Sequence, residues 1–146
     1  MAQFTGTLLS ITFFTISIIH IYWGLGGKWG TKAAIPTTAA KAALFKPGPI
    51  SCFTVALTIL GFGILVLNKT KLISLNLPHL IIDYGLYALA LIFILRAIGD
   101  FKYIGFTRKI NNTLFARMDQ KYYSPLCLLI SILLILTELF AKGELL

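Results

Sequence analysis

The chain has 146 residues, 58% of them hydrophobic and 12% charged, with a formal net charge of +8. So little polar surface excludes an ordinary soluble domain. The basic residues flank apolar runs and do not gather into a soluble patch, which excludes nucleic acid as the partner and leaves topology and anionic lipid head groups to account for the charge.

The first apolar run extends from about Thr5 to Gly24 and the second from Ile50 to Leu67. A third covers Leu80 to Ile98 and a fourth Pro125 to Leu139. Each approaches the ~20 residues that cross ~30 Å of hydrocarbon. At about 100° per residue, Gly6, Ser10, Ser17, His20 and Gly24 fall on one face of the first run. Thr54, Thr58, Gly61 and Asn68 form a similar line on the second, and Ser124, Cys127, Ser131 and Glu138 on the fourth. Polar and small side chains of a membrane bundle face other helices, so these lines are expected to point inward.

The connections carry their own signals. After the first run, Gly24, Gly26, Gly27 and Gly30 loosen the backbone, and a short helix is expected to start at Pro36, Thr37 and Thr38. It should continue over Ala39 to Phe45 and end at Pro47-Gly48-Pro49. In the third connection Leu114, Phe115 and Met118 are expected to face the acyl region while Arg117, Asp119 and Lys121 face water, as in an interfacial amphipathic helix. The expected fold is all-α and polytopic. Residues 1–146 form a single four-span domain, with four transmembrane helices in one bundle and two cytoplasmic connections carrying short interfacial helices.

Orientation follows from the cations. Lys28, Lys32, Lys41 and Lys46 lie in the first connection, and Arg96, Lys102, Arg108, Lys109, Arg117 and Lys121 at or in the third. That is ten of the thirteen Lys and Arg residues, against Lys69, Lys71 and Lys142 on the other side. Cations resist transfer across a bilayer, so the first and third connections are expected in the cytoplasm of a bacterial inner membrane, with both termini on the non-cytoplasmic side. The positive charges follow the first run, the pattern of an N-out anchor and not of a cleaved signal peptide. Cys52 and Cys127 are too far apart for a CxxC motif, and two histidines make no recognisable zinc pattern, so no metal site is expected.

Charges at membrane depth are costly unless paired or wet, so the ionisable residues nominate sites. Towards the cytoplasm, His20, Tyr22 and Trp23 end the first span, and Arg96, Asp100 and Tyr103 end the third. Arg96 and Asp100 are four apart and are expected to pair along one helix face. With Asp119 these residues form a candidate ligand-binding cluster around a pocket. Towards the outside, His79 and Asp83 are one turn apart and Glu138 lies at comparable depth, a candidate outer polar cluster. Tyr22, Trp23, Tyr103, Tyr122 and Tyr123, towards the cytoplasm, also suit a head-group belt.

Three stretches carry a family likeness: His20-Ile21-Tyr22-Trp23-Gly24-Leu25-Gly26-Gly27 followed by Pro36, the run Arg96-Ala97-Ile98-Gly99-Asp100-Phe101-Lys102-Tyr103-Ile104-Gly105-Phe106, and Phe115-Ala116-Arg117-Met118-Asp119 with Tyr123-Ser124-Pro125-Leu126-Cys127. In this order they resemble an uncharacterised bacterial membrane family, domain-of-unknown-function family 3995. The resemblance implies four helices in a bacterial inner membrane and brings no activity, catalytic residue or cofactor with it. It falls on the cytoplasmic cluster and not on His79, Asp83 and Glu138.

Three functions stay open. One is binding or moving a lipid or small anionic ligand, with Arg96 as the anion contact. A second is a structural or accessory membrane subunit. The third is a membrane enzyme on a lipophilic substrate, with His20 as general acid or base and Asp100 or Asp119 orienting it. The expected partners are membrane lipids and either further copies of the chain or another membrane protein.

Overall fold

The computed structural model describes residues 1–40 and 42–143; Lys41 and residues 144–146 lie outside the described residues. Four helices are long and apolar enough to cross a membrane. They are α1 (Ala2–Gly24), α3 (Pro49–Lys69), α4 (His79–Ile98) and α6 (Ser124–Gly143). The first connection holds α2 (Thr31–Ala34) and the third holds α5 (Leu114–Met118). A five-residue π-helical turn, Asp119–Tyr123, joins α5 to α6, so the fourth apolar segment runs on from Leu114 to Gly143.

The boundaries have local causes. Gly26 adopts a left-handed φ of 94° after α1, where the amides of Leu25, Gly26 and Gly27 bond back to carbonyls of the last turn. Pro49 opens α3 directly after Gly48, where a missing N–H costs nothing. Gly99, at φ 91°, ends α4. Among the described residues of 36–45 the expected helix does not form. Ile35, forced into extended backbone (φ −94°, ψ 122°) by the proline that follows, stops α2 at Ala34. Beyond it Thr37 and Ala43 make an isolated antiparallel bridge.

The helices associate as two pairs, α1 with α3 and α4 with α6, and α1 also meets α6. Leu9, Phe13, Val66, Leu86, Leu89, Ala90, Ile130 and Leu134 form the central core. Phe13 stacks there against Phe93, with ring centroids 5.6 Å apart, and against Phe62 at 6.0 Å. Hydroxyls fasten the pairs. Ser10 donates to the Gly63 carbonyl at 3.1 Å and Ser17 to that of Ala56 at 2.8 Å. Thr137 of α6 donates to the Thr5 hydroxyl at 2.7 Å.

The small-residue face of α1 is therefore the one that meets α3, with Gly6, Ser10, Ser17 and Gly24 all buried. On α3 the expected line is turned the wrong way. Thr54, Thr58 and Gly61 are exposed, and α3 presents Cys52, Ala56, Gly63 and Val66 inward. Thr54 and Thr58 donate to carbonyls of their own helix at 2.9 Å, so neither hydroxyl needs an inward position.

Candidate functional site

The polar centre of the molecule is built where the third connection meets the start of α6. Asp119 is fully buried at the first position of the π turn. Its Oδ1 accepts from Arg96 Nη2 at 2.8 Å. Its Oδ2 accepts from the Gly105 amide at 2.7 Å, from Ser124 Oγ at 3.1 Å and from Arg108 Nη1 at 3.4 Å. Arg108 also donates to the Gly105 carbonyl at 2.6 Å and to Gln120 Oε1 at 2.9 Å. A buried carboxylate is tolerated only with such a full set of donors. A π turn packs an extra residue into one helical turn, which places Asp119 among them.

The loop that brings Gly105 there is held by Asp100. Its Oδ1 accepts from the amides of Lys102, Tyr103 and Ile104 at 3.0, 2.7 and 2.8 Å. Desolvation by the loop pushes the exposed Asp100 carboxyl up, but the amide hydrogen bonds outweigh it and hold the group below its ordinary value. Gly99 and Gly105 both take positive φ, and a Cβ on either would run into the backbone of the other's strand of the loop. The run from Arg96 to Phe106 thus encodes a closed loop whose end is clamped to Asp119.

Beside this network lies a cavity of about 610 Å³ between the helix pairs, at the end carrying the two long connections. Phe13 and Ile16 of α1, Phe93 of α4 and Ile130 of α6 line its depth, and Trp29, Ala33 and Phe115 from the connections line its end. The size is that of a small-molecule site. Arg96 and His20 supply its basic groups. Arg96 keeps Nη1 buried with no hydrogen-bond partner among the described residues. His20 Nδ1 lies 2.8 Å from the Ile16 carbonyl, so it carries the proton, and Nε2 is the nitrogen left for a ligand. Trp23 packs edge-on to His20, its ring 4.9 Å away, and donates its indole N–H to the Trp29 carbonyl at 2.7 Å.

Of the expected cluster, His20, Trp23 and Arg96 line this cavity and Asp119 anchors Arg96 from behind. Tyr22, Asp100 and Tyr103 do not line it. Tyr22 is exposed, covers Gly27 and accepts from the Trp29 amide at 3.5 Å. Tyr103 is half-buried beneath the Lys102 ammonium. The expected Arg96–Asp100 pair is absent among the described residues, because α4 ends at Ile98 and Asp100 lies off the helix. Asp119 was expected to face water and is instead buried, while Phe115 turns into the cavity and does not lie along the membrane.

The outer cluster also changes membership. Glu138 is fully buried, with Lys69 Nζ at 2.8 Å and Lys142 Nζ at 3.2 Å from its Oε1. Lys69 donates as well to the Ile82 carbonyl at 2.7 Å, tying α3 to α4. His79 and Asp83 are exposed, and no ion pair joins them to Glu138 among the described residues. Sequence reasoning missed Arg108 and Lys69. Their positions in the chain mark them only as topology-setting cations, and the signal that identifies them is a carboxylate at membrane depth that needs a partner.

Four apolar helices, a connection folded onto a buried carboxylate and an interhelical cavity define a small multi-pass membrane protein. A model of the family of proteins of unknown function DUF3995 matches residues 13–134, and the chain belongs to that family. The match spans both the cavity and the Asp119 network. No curated protein and no solved structure matches the chain.

Proposed function

We propose that this protein binds or moves a lipid or small anionic ligand, with the anionic group at Arg96 and the apolar part in the cavity between the helix pairs. One observation carries the reading. Arg96 lines an otherwise largely apolar cavity, spends Nη2 on Asp119 and keeps Nη1 without a partner among the described residues. Two guanidiniums around one carboxylate also leave one formal positive charge for a ligand to neutralise. The excess of cations in the first and third connections supports placing the cavity end in the cytoplasm of a bacterial inner membrane, with both termini outside.

Both tryptophans of the chain line the cavity, so intrinsic fluorescence reads its occupancy. The test compares oleate with oleyl alcohol, which has the same chain without the charge, on protein in mild detergent. A saturable change with oleate is expected. Arg96→Lys should weaken it about tenfold or more, as loss of a charged hydrogen bond implies, and His20→Gln by a smaller factor. Native mass spectrometry of the same samples should show a discrete co-purifying mass that either substitution removes. Equal affinity for the two probes, or bare protein and unselective phospholipid in every sample, would overturn the reading and favour a structural or accessory subunit.

A further inference from the structure

A second cavity, of about 700 Å³, lies between the connection-bearing ends of α1 and α3, and it shares His20, Trp23 and Ala34 with the first. Its walls include Lys28, Lys46, Thr31, Ser51 and Cys52. Charge distinguishes it. The five acidic residues of the chain are Asp83, Asp100, Asp119, Glu138 and Glu144, so residues 1–82, which contain every residue of this wall, hold none. Neither Lys28 nor Lys46 has a carboxylate partner among the described residues. The first turn of α3, which supplies Ser51 and Cys52, has no capping side chain and no acidic residue, and its dipole adds to the positive field. A cation would find no carboxylate here, whereas an anion would meet two ammonium groups and the Ser51 hydroxyl, that of Thr31 being donated to the Lys28 carbonyl at 2.9 Å.

We propose that this cavity is a separate binding site for the phosphate group of a water-soluble molecule. Ammonium groups hold phosphate as point charges without a planar fork, which suits two lysines on flexible stems. The exposure of Lys28 and Lys46 opens the site to the aqueous end of the protein. The site is independent of Arg96, and its contact with the first cavity runs through His20, Trp23 and Ala34. A ligand in one cavity therefore bears on residues that face the other, and any effect on affinity is reciprocal.

The two cysteines of the chain report the two cavities separately, Cys52 lining this one and Cys127 the other. In a Cys127→Ser background, labelling of Cys52 by a small thiosulfonate is followed with inorganic phosphate or with chloride at equal ionic strength. Phosphate at ten times its Kd should slow labelling about tenfold. The protection should disappear in Lys28→Gln/Lys46→Gln and persist in Lys28→Arg/Lys46→Arg and in Arg96→Lys. Calorimetric titration with inorganic phosphate gives the same comparison without a label. The labelling is repeated in nanodiscs of phosphatidylcholine and of phosphatidylglycerol. Protection by phosphatidylglycerol alone, with none from inorganic phosphate, would overturn the soluble ligand and assign the cavity to a lipid head group. Protection equal to that by chloride, or unaffected by losing both lysines, would overturn the site altogether. Protection of Cys127 by oleate in a Cys52→Ser background tests the other cavity, so failure at either site is read apart from the other.

Discussion

Arg96 donates through Nη2 to Oδ1 of Asp119 at 2.8 Å, joining the last turn of α4 to the π turn that leads into α6. The same carboxylate holds the Gly105 amide and Arg108, so one buried charge sets the position of a helix end, a loop and the guanidinium that lines the cavity. Stability and any ligand chemistry at Arg96 are coupled through it.

Asp119→Asn should cost about 3–5 kcal/mol, because it leaves the nearly inaccessible Arg108 guanidinium buried without a counter-charge. Thermal unfolding in detergent measures this. A shift no larger than that of an exposed substitution such as Asp83→Asn would show that the network does not carry the load assigned to it.

Gly105 and Gly26 both take positive φ, but only Gly105 has backbone against the position of a Cβ. Gly26→Ala should cost roughly the 1–2 kcal/mol of a left-handed alanine. Gly105→Ala should cost clearly more and expose the loop over residues 99–106 to protease. Equal sensitivity of the two variants would contradict the close approach of Gly99 and Gly105.

Asp100 carries the pH dependence of that loop. Its carboxyl lies below the ordinary value, so its contribution is complete above about 3.9 and is lost as pH falls through the lower folded value. NMR titration of the Tyr103 and Ile104 amides should show a midpoint below about 3.9, and Asp100→Asn should abolish the step. A midpoint at or above 3.9 would mean that the amide hydrogen bonds do not outweigh desolvation.

Lys69→Met should destabilise the protein by about 3–5 kcal/mol, since Glu138 then keeps only the half-exposed Lys142 at 3.2 Å. Pairing it with Glu138→Leu should recover much of the loss, because removing both charges removes the buried unpaired one. A double-mutant cycle on unfolding midpoints tests this, and strictly additive losses would refute direct coupling.

Sequence alone determined the four spans and the cation asymmetry, because the length of an apolar run and the charges that flank it are local properties. It also singled out His20, Trp23 and Arg96, which line one cavity, and Asp119, which holds Arg96 from behind. Tertiary structure decided the partners. Four-residue spacing pairs Arg96 with Asp100 only if one helix carries both; Gly99 ends α4 first, and Asp119, 23 residues beyond Arg96, takes the place. Glu138 likewise finds Lys69 on another helix and not His79 or Asp83. The α3 hydroxyls of Thr54 and Thr58, expected to face inward, face outward, since a threonine that bonds its own helix is satisfied facing either way. Buried charges choose the donors that packing brings within reach, and that choice is made only when distant segments meet.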